Sequence, residues 1–251
     1  MKSIKALAAV ALASSLFIGC EEEEHFGIDS SKPAPKEFTY DEDNSSETSI
    51  SVYWDDASMI EAGATSATVQ LTTELNNGDN YDNSVTHTIV YSDEKVKVKN
   101  ATTFTGLKKF SRYYVRIRAN YARSIFSDWV YLTYNEEPSP FEIGVGFIDK
   151  NSPVVENISY NESSASATAL AFNYDDSKAC SQNATIIRFQ LINTTTDAVT
   201  KEKEQTPGEG SIVIDGLKTG DQYNVRARAE YNATSGTVCS EWVYAETTDT
   251  K

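Results

Sequence analysis

Strict alternation of apolar and polar residues marks two stretches of the chain, residues 113–121 and 223–231. A period of two is typical of a half-buried β-strand, in which successive side chains point to opposite faces. In the first stretch the odd positions are Tyr113, Val115, Ile117 and Ala119, and the even positions are Tyr114, Arg116, Arg118 and Asn120. We therefore predict that the odd positions face a core and that the even positions face outward.

Both stretches belong to a longer internal repeat. Residues 106–121 return as residues 216–231 without a gap, and each copy then reaches a Ser-acid-Trp-Val-Tyr run, at Ser127–Tyr131 and at Ser240–Tyr244. Solenoid repeats are much shorter than the offset of about 110 residues between these copies. The repeat therefore predicts two copies of one domain.

Further short apolar runs, separated by turn residues, predict seven strands in each copy. In the first copy they lie near residues 38–40, 49–54, 68–73, 86–91, 103–105, 113–121 and 129–134. In the second copy they lie near residues 154–160, 168–174, 186–191, 199–202, 211–214, 223–231 and 242–247. No stretch after residue 20 has helical periodicity, so we expect two β-sandwiches, at residues 38–135 and 153–248.

Residues 136–152 form the predicted linker between the two domains. Within it Phe141, Ile143, Val145 and Phe147 occupy alternate positions. This alternation predicts an added edge strand that packs on either sandwich. Such a strand would fix the angle between the domains.

Each copy also carries a Gly-Leu pair six residues before the Tyr that opens the long strand. The pattern resembles fibronectin type III domains, whose Gly-Leu-x-Pro-x-Thr-x-Tyr-x-Val-x-Val-x-Ala stretch runs from strand E into strand F. The matching residues are Leu107, Ser111, Tyr113, Val115, Ile117 and Ala119 in the first copy and Leu217, Asp221, Tyr223, Val225, Ala227 and Ala229 in the second. Upstream, Ile50-x-Val52-x-Trp54 and Leu170-x-Phe172-x-Tyr174 resemble strand B of the same family.

This resemblance implies an all-β fold of two tandem seven-stranded fibronectin type III (immunoglobulin-like) sandwiches. It also implies that the hydroxyl groups of Tyr113 and Tyr223 bond back to upstream main chain, as in the tyrosine corner of such sandwiches.

Residues 1–19 have the pattern of an export signal, with Lys2 and Lys5 before an apolar run from Ala6 to Ile18. The run is too short to span a bilayer as a helix. Leu16–Cys20 resembles the lipobox of bacterial lipoproteins, which implies that Cys20 is lipidated and anchors the protein in a membrane. The alternative is an ordinary secretory signal with an incidental Cys.

Residues 20–37 are predicted to form a disordered acidic tether, because they combine charge and proline with no periodic apolar pattern. Glu21–Glu24 follow the lipobox directly. In some Gram-negative lineages acidic residues in this place resemble a signal for export to the outer face of the outer membrane; alternatively they keep the tether solvated. The expected location is the outer membrane, facing the cell surface or the periplasm.

The net charge of the sequence argues against nucleic acid as a partner. The sequence has 22 basic and 37 acidic residues, a formal net charge of −15. Loss of Lys2 and Lys5 with the signal leaves 20 basic residues and a net charge of −17. Such a surface repels nucleic acid phosphate, so we expect no nucleic acid partner.

Cys180 and Cys239 are the cysteines that remain after Cys20. Along the repeat, Cys180 aligns with Ile60 and Cys239 aligns with Phe126. In the fold that the resemblance implies, the two loops that carry these positions emerge at the same end of the sandwich. We therefore predict a disulfide between Cys180 and Cys239, which an oxidising compartment would allow.

The sequence has little that points to catalysis. His25 lies in the predicted tether and His87 on a predicted strand, without a neighbouring Cys or His. No Gly-x-Ser-x-Gly, phosphate-binding loop or metal-spaced Cys/His cluster is present, so we expect no enzyme activity, no cofactor and no metal. The acidic pairs Asp55-Asp56 and Asp175-Asp176 are interpreted as turn residues; the alternative is a calcium site that includes Asp79 or Asp82.

The outward face of the long strand and its neighbours is the better candidate site. It comprises Tyr114, Arg116, Arg118, Trp129 and Tyr131 in the first copy and Arg226, Arg228, Trp242 and Tyr244 in the second. This set resembles the Trp–Arg ladder of cytokine-receptor type III domains, in which guanidinium groups stack on Trp and stabilise the domain. The alternative is an aromatic platform for sugar rings or for a protein partner, which Tyr114 favours in the first copy.

The resulting hypothesis is a non-enzymatic, membrane-anchored surface lipoprotein. Its two domains would bind an extracellular glycan or an envelope or cell-surface protein. The alternative is a structural spacer or an accessory subunit of an outer-membrane uptake or secretion complex. Domains of this fold serve many unrelated roles, so the fold alone does not choose between them.

Overall fold

The computed structural model describes residues 27–75, 85–91, 100–233 and 236–245. The first domain contains β1 (Gly27–Ile28), β2 (Lys36–Tyr40), β3 (Ile50–Asp55), α1 (Ala57–Glu61), β4 (Ser66–Thr72), β5 (Val85–Val90), β6 (Asn100–Phe104), β7 (Arg112–Tyr121), β8 (Ile125–Phe126) and β9 (Val130–Tyr131). β10 (Thr133–Tyr134) ends the first domain, and the linker contains β11 (Glu137–Pro138), β12 (Phe141–Glu142) and β13 (Gly146–Ile148). The second domain contains β14 (Glu156–Tyr160), β15 (Leu170–Asp175), α2 (Ser177–Ser181), β16 (Ile186–Asn193), β17 (Ala198–Gln205), β18 (Ser211–Ile214), β19 (Tyr223–Ala233), β20 (Gly236–Cys239) and β21 (Val243–Tyr244).

The first domain is a sandwich of two antiparallel sheets. One sheet has the order β2-β3-β6, and in the other β4 lies between β5 and β7 while β9 pairs with β7. The alternating residues of β7 face inward as predicted, since Val115, Ile117 and Ala119 are buried in a core around the fully buried Trp54.

The second domain repeats this arrangement. Its sheets are β14-β15-β18 and a second sheet in which β16 lies between β17 and β19 while β21 pairs with β19. Phe172, Phe189 and Val225 lie in its separate core. The molecule is therefore all-β, with two tandem seven-stranded sandwiches in the fibronectin type III strand order, as predicted.

The linker pairs with both domains. β12 pairs antiparallel with β7, β13 pairs parallel with β20, and β12 and β13 pair with each other as a hairpin. The hairpin thus joins one sheet of each sandwich into a single continuous sheet. Its apolar residues Phe141, Ile143 and Phe147 are buried. The linker therefore pairs with the sheets as predicted, but as a hairpin of two short strands and not as one edge strand over residues 141–147.

Glycine is required where the hairpin meets the second domain. Gly146 has φ +152°, and an added Cβ would lie 1.9 Å from the main-chain oxygen of Thr237. A side chain at this position would therefore push β13 away from β20.

The segment before the first sandwich is structured from residue 27 onward. β1 pairs parallel with β8, and the main-chain oxygen of Pro33 accepts a hydrogen bond from the Tyr121 hydroxyl at 2.5 Å. The prediction of a disordered tether over residues 20–37 is therefore wrong from residue 27. The predicted export signal, Cys20 and the first part of the tether lie outside the described residues.

Two short helices depart from the all-strand prediction. α1 and α2 follow the acidic pairs, in which Asp55 accepts a hydrogen bond from the Ala57 main-chain N–H at 2.9 Å and Asp175 accepts one from Ser177 at 3.0 Å. The pairs therefore start helical turns, in line with the turn interpretation. With five residues each, α1 and α2 are too short to give a periodic pattern.

The predicted disulfide is wrong, because Cys180 and Cys239 are both free thiols in the structure. Cys239 pairs with Glu230 across the ladder between β19 and β20. Cross-strand neighbours share a face, and Glu230 bonds to arginines on the outward face, so Cys239 lies on that face. Cys180 lies on α2 and hydrogen-bonds with Asp176. The aligned residue Phe126 also faces outward, with its ring 3.8 Å from the Arg118 guanidinium carbon.

Candidate functional site

Arginine and tryptophan stack on the outward face of the first domain, as the resemblance implied. The guanidinium carbons of Arg116 and Arg118 lie 4.1 and 4.5 Å from the Trp129 ring centroid. Arg116 also donates hydrogen bonds to the side-chain oxygen of Gln70 at 3.1 Å and to the Tyr131 hydroxyl at 3.2 Å. β7 places the two arginines at alternate positions, and the segment before β9 lays Trp129 over both of them.

The second domain carries the same stack. Arg226 and Arg228 lie 4.3 and 4.2 Å from the Trp242 ring centroid. Arg226 donates to the Gln190 side-chain oxygen at 3.0 Å and to the Tyr244 hydroxyl at 3.2 Å. The two ladders therefore preserve the same contacts across the repeat.

Burial shows what these ladders do. Arg116 and Arg228 are fully buried, and Arg118 is only 8% exposed. Their charged groups are engaged within the chain and are closed to a ligand. Partly desolvated cation–π contacts stabilise by about 1–2 kcal/mol each, so the ladders act as part of the fold. Tyr244, at 57% exposed, is the most accessible of the predicted face residues in the second domain.

A buried ion-pair cluster lies where the linker meets both domains. Glu142 of β12 is fully buried and accepts hydrogen bonds from Arg228 at 2.5 Å and from Arg112 at 3.0 Å. Its second oxygen also accepts from the Trp242 indole N–H at 3.2 Å. Because Arg112 belongs to the first domain and Arg228 to the second, Glu142 ties the two sandwiches together.

The cluster continues into the second domain through Glu230. This carboxylate accepts hydrogen bonds from Arg188 at 2.5 Å and from Arg228 at 3.1 Å. Burial alone would raise the pKa of Glu230, but the Arg188 hydrogen bond and the Arg228 charge outweigh burial and lower it. Glu230 is therefore held ionised between two buried arginines.

An open groove of about 380 Å³ lies beside this junction. Tyr114 of β7 and Tyr134 of β10 contribute aromatic rings to its wall. The Tyr134 ring stacks on Phe147 of the hairpin, with the ring centroids 5.8 Å apart. Charged groups on the wall come from Glu137, Asp149, Lys150 and Glu241. Of the predicted face residues, Tyr114 is the one that the structure places in this groove.

Neither a cluster of metal ligands nor a membrane-spanning helix is found in the described ranges. No group of three or more His, Cys, Asp or Glu side chains there could hold a metal ion, and no helix there is long and apolar enough to cross a membrane. His87 stacks on Phe104, with ring centroids 4.0 Å apart, and hydrogen-bonds with Thr102 at 2.9 Å. Asp79 and Asp82, which the calcium alternative required, lie outside those ranges.

No family model matches the sequence, and no curated protein matches it. Among solved structures, a two-domain fibronectin type III segment of chicken tenascin is 12% identical, with 85% of this chain and 98% of that chain covered and a TM-score of 0.30. The first three fibronectin type III domains of chicken CNTN1 are 11% identical, with 84% and 66% covered and a TM-score of 0.31. These likenesses are weak, and the fold is defined by the strand order of the two sandwiches.

The sequence identified the ladder residues but missed the junction. Glu142 and Arg228 are 86 positions apart, and no local pattern joins them. Glu142 did carry one signal, since it is an acidic residue between two buried apolar neighbours in a short alternating run. Tyr134 lies at the end of the last predicted strand of the first domain, and its sequence context does not point to a site.

Proposed function

We propose that this protein is a non-enzymatic surface lipoprotein of a bacterial outer membrane, and that it binds an extracellular glycan in the junction groove. The observation that carries the proposal is the open groove in which Tyr114 and Tyr134 stand together beside carboxylate and amide groups. Aromatic rings offer apolar faces to the C–H groups of sugars, and placed polar groups fix hydroxyl positions.

The charge of the groove wall indicates which glycans it can bind. Among the described residues, the groove wall carries three carboxylates, of Glu137, Asp149 and Glu241, and one cation, Lys150. The Lys150 Nζ lies 3.6 Å from a Glu137 carboxylate oxygen, so its charge is paired within the wall. Glu241 accepts a hydrogen bond from Arg112 at 2.6 Å. An acidic wall of this kind repels uronic acids and sulfated sugars, so the expected ligand is a neutral glycan.

A glycan array with the soluble chain from residue 21 tests the proposal. We expect binding to neutral glycans that falls at least tenfold in both Tyr114→Ala and Tyr134→Ala proteins. Tyr244→Ala is the matched control, because it removes an exposed tyrosine on the face of the second domain. Absence of any glycan bound by the wild-type protein, or equal loss in the control, would count against a glycan site in this groove.

The anchor has its own test. We expect fatty-acid labelling of the full chain in a bacterial host, and we expect Cys20→Ser to abolish it. Labelling that persists in the variant would exclude Cys20 as the lipidated residue.

A second candidate function is a rigid spacer or an accessory subunit of an outer-membrane uptake or secretion complex. The linker hairpin favours it, because β12 and β13 pair with both sandwiches and Glu142 bonds to both. A rigid two-domain arm would hold its outer end at a fixed distance from the anchor. Retained binding to envelope proteins in the Tyr114→Ala and Tyr134→Ala variants, without glycan binding by the wild type, would favour this role.

A further inference from the structure

The first domain has a slot at the end nearest the linker, and the linker fills it. Phe141 is fully buried and pairs with Tyr113, and its ring centroid lies 4.5 Å from that of Tyr40. Two positions on, Ile143 accepts a hydrogen bond from the Phe110 main-chain N–H and donates one to the Ser111 main-chain oxygen, both at 3.0 Å. The occupant is thus a short extended segment with an aromatic residue followed by an aliphatic residue.

The second domain contains the same slot at the same end. The main-chain N–H of Leu217 donates to the Thr168 oxygen at 3.0 Å, as that of Leu107 donates to Thr48 at 2.9 Å. Tyr160 pairs with Phe172, as Tyr40 pairs with Val52. The residues of the second slot are therefore Tyr160, Leu217, Gly220, Asp221 and Tyr223, equivalent in order to Tyr40, Leu107, Phe110, Ser111 and Tyr113.

Nothing in the described part of the chain fills this second slot. It is an open groove of about 300 Å³, lined by Tyr160, Leu170, Leu217, Gly220 and Tyr223 among others. β16 pairs with Tyr223 on one side. On the other side β21 pairs with β19 at Arg226 and Ala227, and the next residue, Ala245, donates its main-chain N–H to the Val225 oxygen at 2.9 Å. The side of Tyr223 that β12 occupies in the first domain has no strand among the described residues.

The turn that would bind a segment in the second slot has the same main-chain conformation as its equivalent in the first domain. Gly220 has φ +89° and Phe110 has φ 66°, so both turns have the left-handed conformation that presents the N–H of this residue. A Cβ added to Gly220 would meet no other described residue within 4 Å, which leaves room for an incoming chain.

We propose that this slot of the second domain docks an extended segment of a partner protein. The segment carries an aromatic residue and, two positions later, an aliphatic residue, and it pairs antiparallel with Gln222–Tyr223. The equivalent slot of the first domain supports this assignment, because it accepts Phe141 and Ile143 through the corresponding main-chain groups. Strand addition of this kind gains affinity from main-chain hydrogen bonds and specificity from the pocket for one side chain. This docking slot is separate from the proposed glycan groove at the domain junction.

An NMR titration of the soluble chain from residue 21 tests this proposal. The probe is a synthetic peptide with the sequence of residues 138–145, Pro-Ser-Pro-Phe-Glu-Ile-Gly-Val. We expect saturable shifts of the amide signals of Gly220, Asp221 and Tyr223, at peptide concentrations up to about 1 mM. A peptide with Ala in place of Phe should bind at least tenfold more weakly, a comparison that needs no change in the protein.

Protein variants locate the site. Tyr160→Ala should weaken peptide binding at least tenfold, and Tyr244→Ala, on the other face of the same domain, should leave it unchanged. Absence of shifts at residues 220–223, or shifts that survive the Phe→Ala change in the peptide, would overturn the proposal. A dimer of the wild-type chain that Tyr160→Ala dissociates would also overturn it, because the occupant would then be a second copy.

Discussion

At the scale of single residues, the two arginine ladders and the carboxylates between them determine which groups on the outward face are accessible to a ligand. The parity of the long strands predicted correctly that Arg116, Arg118, Arg226 and Arg228 face outward. It did not predict that three of these four would be buried, because burial comes from Trp129, Trp242 and the linker, which approach from elsewhere in the chain. Local alternation reports a face of a strand but not what covers that face.

Acid is expected to destabilise the second domain through Glu230. Its pKa lies below the ordinary value of 4.5, so its stabilising contribution is complete above that value and is lost as the pH falls through the folded-state pKa. Urea unfolding at pH 7, 4.5 and 3 should show this loss. Glu230→Gln should cost about 3 kcal/mol at pH 7, because it leaves buried guanidinium groups without their counter-charge, and should flatten the pH dependence.

The control for this experiment is Glu61→Gln on the exposed surface of α1. It should leave both the stability and its pH dependence unchanged. An equal pH dependence in the Glu230→Gln protein and the wild type would contradict the role assigned to Glu230.

Thiol chemistry tests whether Cys180 and Cys239 are free thiols. Burial raises the pKa of the Cys239 thiol to about 12, and burial followed by the charge of Asp176 raises the pKa of the Cys180 thiol. The soluble chain from residue 21 should therefore react slowly when folded, since the thiolate is the reactive form. When unfolded without reductant, it should release two thiols per chain. A count of zero in the unfolded protein would mean that the disulfide exists.

At the scale of elements, the linker hairpin is the feature that distinguishes this tandem. The alternation of Phe141, Ile143, Val145 and Phe147 was enough to predict a strand there. It was not enough to predict a hairpin, because the turn depends on Gly144, with φ +76°, and on Gly146, whose fit against Thr237 is a long-range contact. α1 and α2 were missed for a related reason, since a single helical turn has no period to detect.

Gly146→Ala tests how closely β13 of the hairpin packs against β20. The new Cβ would overlap the Thr237 main chain, so we expect a loss of about 1–3 kcal/mol from overpacking beyond the cost of the φ angle. Gly208→Ala is the matched control, because Gly208 has φ +95° and open space around its Cβ position. Equal losses of unfolding free energy in the two variants would show that β13 does not pack closely against β20.

At the scale of the whole molecule, the internal repeat predicted two copies of one domain, and the short strands within each copy predicted a β-sandwich. The repeat could not predict how the copies sit together, because the linker has no counterpart within it. Junction contacts such as that between Glu142 and Arg228 join residues far apart in the sequence, and the open groove beside them forms only when the domains meet. The candidate site is therefore a property of the tandem and not of either domain.

We expect the hairpin and Glu142 to hold the two sandwiches as one rigid body, because both bond to both domains. Residual dipolar couplings measured for both domains of the weakly aligned soluble chain test this most directly. We predict that a single alignment tensor fits the backbone couplings of both domains in the wild type, and that Gly146→Ala separates them into two tensors. Two tensors of different magnitude in the wild-type protein would contradict the claim.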